Sequence, residues 1–142
     1  MRKIDPHTKL SVLWLFILLN IIFKDLHQFV MPGVIARLMT GEFNGVPITE
    51  ELMLFGGIVV SVPIGMVPLS HLVQRRSLRP LTYCAAALTT VTMVPPQPVD
   101  LDDMYHFGLQ LVAVGAIIWT VWQWREDVTA QAAASAPKAV SR

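Results

Sequence analysis

The sequence predicts an all-α membrane protein: a transmembrane four-helix bundle with both termini in the cytoplasm. Three observations carry that prediction. Four apolar stretches, Leu10–Met31, Leu52–Val73, Leu81–Val94 and Met104–Trp124, approach or reach the ~20 residues needed to cross about 30 Å of hydrocarbon. Hydrophobic residues make up 54% of the 142 and mean hydropathy is +0.53. A soluble domain this small, with its high surface-to-volume ratio, does not hide that much apolar surface. The charges also sort by connection. Four spans put the N-terminal lead, the second connection and the tail on one side, with nine basic residues (Arg2, Lys3, Lys9, Arg75, Arg76, Arg79, Arg125, Lys138, Arg142) against three acidic ones (Asp5, Glu126, Asp127). The other side holds Lys24 and Arg37 against seven acids, which places it outside by the positive-inside rule.

Taken in order, residues 1–9 form a cytoplasmic lead and residues 10–126 a membrane domain with helices at about 10–31, 51–73, 80–94 and 103–124. The first segment has a basic start, but it is too long for a signal peptide's apolar core and no small-x-small cleavage site follows it, so it reads as a retained helix. Pro32-Gly33 ends it. The outer loop that follows contains Val34–Met39, a short interfacial helix, and then Gly41, Asn44, Gly45 and Pro47. Thr49 caps the second helix, and Glu50 and Glu51 suit its first turn, where the helix dipole favours acids. Pro63 and Pro68 fall inside it and a kink is expected near Pro63. Gly57, Ser61 and Gly65 recur every fourth residue, a small-xxx-small spacing that predicts close helix packing.

The third segment is the shortest. Its 14 residues from Leu81 to Val94 give about 21 Å, and Pro95-Pro96-Gln97-Pro98 ends it. The fourth starts after Asp102-Asp103 and closes on Trp119, Trp122 and Trp124, an interfacial aromatic belt. Residues 127–142 read as a flexible cytoplasmic tail. Cys84, the single cysteine, rules out an internal disulfide and cysteine-pair motifs, and reads as a small buried residue of the third helix. Nothing matches a GxSxG, HExxH or phosphate-loop motif, and no basic stripe suggests nucleic acid.

One polar knot interrupts the apolar pattern. Asn20, Lys24 and His27/Gln28 share a helix face at three- and four-residue spacing, with Asp25 on its flank. Ionisable groups at membrane depth are costly and often mark function. At the outer end of a helix, however, Lys24 also snorkels to headgroups, so Asn20, one turn deeper, is the member that a helix end explains least. The start of the fourth segment offers His106, with Gln110 one turn on, at similar depth. An outward-facing site for a ligand or a proton is therefore expected between the first and fourth segments, from Asn20, Lys24, Asp25, His27, His106 and Gln110. Asp25, His27, His106 and Asp103 would suit a metal by ligand type, though their spacing is no recognised motif; the pairs His27/His106 and His7/His71 would suit haem, but His7 precedes the first span and His71 sits at the inner end of the second, as interface histidines do, and no cofactor is assigned.

The stretch LSVLWLFILLNIIFKDLHQFVMPG, the Met39-Thr40-Gly41 step and IVVSVPIGMVPLS resemble a family of small bacterial membrane proteins with four predicted spans, classed as a domain of unknown function. The resemblance runs from about Leu10 to Trp124, and Asn20, Asp25, Pro32-Gly33, Thr40-Gly41 and Pro63 are its most specific parts. More loosely, the architecture is similar to DoxX-like four-helix proteins, some linked to quinone or thiol redox systems. It implies a multi-pass protein of a bacterial cytoplasmic membrane. The leading expectation is a non-enzymatic protein whose partner is the lipid bilayer, as a homo-oligomer or an accessory to a membrane complex. Two alternatives are a redox protein binding haem or quinone near the outer histidines, and a small transporter subunit working as an oligomer.

Overall fold

A computed structural model describes residues 4–43, 45–94 and 100–135; the Pro95–Pro98 run and residues 136–142 of the expected tail lie outside the described residues. The chain is mostly helical: α1 (Pro6–Val30), α2 (Val34–Met39), β1 (Glu42–Phe43), β2 (Val46–Pro47), α3 (Glu50–Leu72), α4 (Arg75–Thr92) and α5 (Leu101–Ser135). The four long helices form a ring in which α1 and α4 each pack against α3 and α5.

Capping chemistry sets the boundaries. The Asp5 carboxylate accepts from the Thr8 amide and Pro6 occupies the first helical position, where its missing N–H costs nothing. Residues 6–9, expected in the lead, therefore join α1. Gly33, at φ +80°, turns the chain from α1 into α2, which occupies the expected interfacial segment. The strands form a two-stranded antiparallel hairpin, with Glu42 opposite Pro47 and Phe43 opposite Val46, which the sequence reading treats as loop. The Thr49 hydroxyl accepts from Leu52 N–H at the start of α3.

α4 and α5 extend furthest beyond their apolar stretches. α4 begins at Arg75, about six residues earlier than the hydropathy suggests, because three arginines are good helix formers even though they are not apolar. α5 runs to Ser135, so the first part of the expected tail, residues 127–135, continues the helix; Ala132, Ala133 and Ala134 favour that continuation.

The core is a set of stripes at helical spacing. α1 buries Leu10, Trp14, Ile17, Asn20 and Ile21; α5 buries Ala113, Val114, Ile117 and Val121; α4 buries Leu78, Thr82, Ala85, Ala86 and Thr89. Cys84 is one step off that α4 stripe and is exposed, which corrects the expectation of a buried cysteine. The outward faces are apolar as well: Val12, Phe16, Leu19 and Phe23 on α1, and Leu54, Phe55 and Ile58 on α3, all point away from the core. Helices apolar all round belong to a large core or a membrane. Three of them, α1, α3 and α5 to Trp124, are long and apolar enough to cross a membrane; α4 is not, because its arginine-bearing start lowers its hydropathy.

Gly57 and Ser61 lie exposed on the outer face of α3, and a Cβ placed at Gly57 meets nothing within 4 Å. Gly65 is half-buried and its nearest neighbour is Leu69 of the same helix. The close approach expected at these residues is not made by another described helix of this chain. Ser61 donates to the Gly57 carbonyl instead.

At one end of the ring, His7 ties three helices. Its Nδ1 lies 2.6 Å from the Ser70 carbonyl, one of the last of α3 and without a helical partner. A carbonyl only accepts, so Nδ1 carries the proton. The same ring meets Trp124 of α5 edge-on at 4.6 Å, and Arg75 of α4 stands 4.6 Å from the Trp124 ring centre. His7 is thus engaged in packing.

Candidate functional site

At the opposite end the apolar stripes of α1 and α5 both turn polar. The α1 stripe of Leu10, Trp14 and Ile17 continues into Asn20, and the α5 stripe of Val121, Ile117 and Ala113 continues into Gln110, His106 and Asp103. Because α1 and α5 are adjacent, these groups face each other and must satisfy one another.

Asn20 and His106 do so reciprocally. Asn20 Nδ2 donates to the His106 backbone carbonyl at 2.8 Å, and Asn20 Oδ1 lies 2.7 Å from His106 Nδ1. The geometry decides the protonation. A backbone carbonyl only accepts, so the amide nitrogen faces it; the amide oxygen that remains only accepts, so His106 Nδ1 holds the hydrogen. In the neutral ring, Nε2 is then a bare lone pair. It is buried and finds no hydrogen-bond partner among the described residues, while His106 as a whole is 6% exposed.

Asp102, one turn before His106, stands between the two outer histidines. Its Oδ1 is 3.2 Å from His27 Nδ1 and 3.5 Å from His106 Nε2, and the two imidazole rings lie 5.6 Å apart. Asp103 turns the other way, to Lys24 Nζ at 3.0 Å and to Gln28 Nε2 at 3.4 Å. Its own amide donates to Asp100 at 2.7 Å, at the start of α5. The lysine ammonium thus neutralises a nearly buried carboxylate. Gln110 reaches α4 through a 3.2 Å bond to the Thr89 carbonyl.

The expected site residues are therefore brought to one end of the molecule but divided between compartments. Lys24, Asp25, His106 and Gln110 line a small cavity of about 30 Å³, room for about one water. His27 lines a larger cleft of about 760 Å³ with Gln28, Asp102, Met31 and Met104. Asp25 also borders a groove of about 270 Å³ against α2 and α3, on the flank away from His27. The metal-type quartet separates accordingly. His27 and His106 stay together, Asp25 and Asp103 are drawn off, and Asp102 takes their place. The signal for Asp102 is its four-residue spacing to His106, which puts both on one helix face.

No curated protein and no solved structure matches the chain. A family model matches residues 3–130, nearly the whole of the described chain, and the chain belongs to that family of unknown function, DUF6326.

Proposed function

We propose that this chain is a multi-pass protein of a bacterial cytoplasmic membrane, a four-span bundle of α1, α3, α4 and α5 with both termini inside. Its working part is the polar end of α1 and α5, which opens outward and binds a small polar or charged ligand without catalysing a reaction. The observation that carries this is the buried Asn20–His106 pair. A helix end that only meets headgroups leaves its polar groups to water; here they are withdrawn from it and matched across two helices. The sorting of Arg75, Arg76 and Arg79 against Asp100, Asp102 and Asp103 supports the orientation.

The test has two parts. In a Cys84→Ala background, Met104→Cys on the cleft rim reacts with a membrane-impermeant maleimide in intact cells; labelling only after lysis overturns the orientation. In detergent, a panel of inorganic cations and small organic ions raises the melting temperature of the wild type and not of His106→Ala; a panel without any shift overturns the ligand site.

The cleft favours a second reading. About 760 Å³, lined by Val30, Met31, Leu101 and Met104 beside His27 and Asp102, suits a quinone-type ring entering from the bilayer. Quinone affinity unchanged in His27→Ala would remove it.

A further inference from the structure

We propose that His27, Asp102 and His106 bind one divalent transition-metal cation, with Asn20 as a positioning residue that holds His106 in the liganding tautomer. This rests on the polar end of α1 and α5 being the working site and names its ligand class.

Three features of the geometry point to a metal. One ligand atom from each of the three residues lies within 4.8 Å of the others. Two of the separations, 3.2 and 3.5 Å, bracket the edge of about 3.4 Å between ligands of a tetrahedral ion with bonds of about 2.0–2.1 Å. The third separation stays within 4.8 Å, and His27 is exposed at the rim. The buried Nε2 of His106 is a lone pair without a hydrogen-bond partner among the described residues, 3.5 Å from Asp102 Oδ1. Its tautomer is fixed from the far side of the ring by Asn20, the arrangement in which a metal-binding histidine donates its other nitrogen to a protein oxygen.

Imidazole and carboxylate donors suit zinc, cobalt, nickel and copper better than the hard cations calcium and magnesium. The start of a helix repels a cation, with the equivalent of about half a positive charge. Asp102 in the first turn of α5 outweighs it, while Asp103 of the same turn is taken up by the Lys24 ammonium. Three protein ligands leave a coordination position open to the cleft, where a water or an exogenous ligand completes the shell.

The experiment is titration of the purified full chain in mild detergent with Zn²⁺ by calorimetry, and with Co²⁺ by visible absorption. One equivalent binds the wild type. His106→Gln and Asp102→Asn each weaken binding at least tenfold and abolish the cobalt ligand-field bands. Asn20→Ala, which removes no ligand, weakens binding about tenfold to a hundredfold and leaves the bands in place. His71→Ala, at the other end of the ring, binds as the wild type does. Circular dichroism and gel filtration of each variant separate lost binding from lost fold. A folded wild type that binds no metal, or variants at His106 and Asp102 that bind as tightly as wild type, overturns the assignment. Should Met104→Cys label from outside while no metal binds, the metal assignment alone falls; metal binding with labelling from inside overturns only the orientation.

Discussion

Asn20 of α1 and His106 of α5, 86 residues apart in sequence, exchange two hydrogen bonds through opposite ends of one amide. The pair joins the two helices at the point where their shared core changes from apolar to polar. Replacing Asn20 by Ala leaves the His106 Nδ1–H buried without an acceptor, and such an orphan costs about 1–3 kcal/mol. Thermal unfolding in detergent should show the loss. Asn20→Ala with unchanged stability would mean that water reaches this position.

Lys24 and Asp103 form the second tie. Their side chains are 20% and 5% exposed, so this is no ordinary surface pair. Lys24→Met strands a buried carboxylate, whereas the double variant Lys24→Met/Asp103→Asn removes the stranded charge. The double-mutant cycle should return a coupling of about 1–3 kcal/mol. Additive effects of the two single changes would show that the pair is solvated.

Much of this end of the molecule is legible in the chain, because a polar residue on an apolar stripe is visible as a break in period. Asn20, His106 and Gln110 stand out for that reason. The division of labour between Asp102 and Asp103 is not legible. Both lie one turn before His106, and about 100° of helix azimuth decides which meets the histidines and which meets Lys24. That angle depends on how α5 is rolled against α1, a tertiary property. Hydropathy likewise hides the start of α4, since Arg75, Arg76 and Arg79 extend the helix without making it apolar. The hairpin after α2 has strands of only two residues each, too short to show a period in the sequence.

Cys84 tests how α4 is rolled in the ring. It is exposed, while Ala85 and Ala86 beside it are buried. In detergent, a lipid-soluble maleimide should modify Cys84 in the folded protein faster than it modifies Ala85→Cys or Ala86→Cys in a Cys84→Ala background, all three sharing the same apolar surroundings. Equal protection of the three thiols would mean that another helix covers this face.

Gly33 sets the turn from α1 into α2 at φ +80° and has open space around it, so a side chain there is opposed by backbone strain alone. Gly33→Ala should cost about 1–2 kcal/mol, while Gly57→Ala, in helical backbone with equal space, should be neutral or stabilising by comparison. Equal thermal shifts for the two variants would contradict the left-handed turn.

Asn20 presents His106 with a bare Nε2 on the side of Asp102. The direct measurement is the tautomer of His106 by nitrogen-15 NMR of histidine-labelled protein, in the neutral, metal-free form. Hydrogen is expected on Nδ1 and none on Nε2, with that preference lost in Asn20→Ala. Hydrogen on Nε2 in the wild type, or a tautomer unmoved by Asn20→Ala, would contradict it.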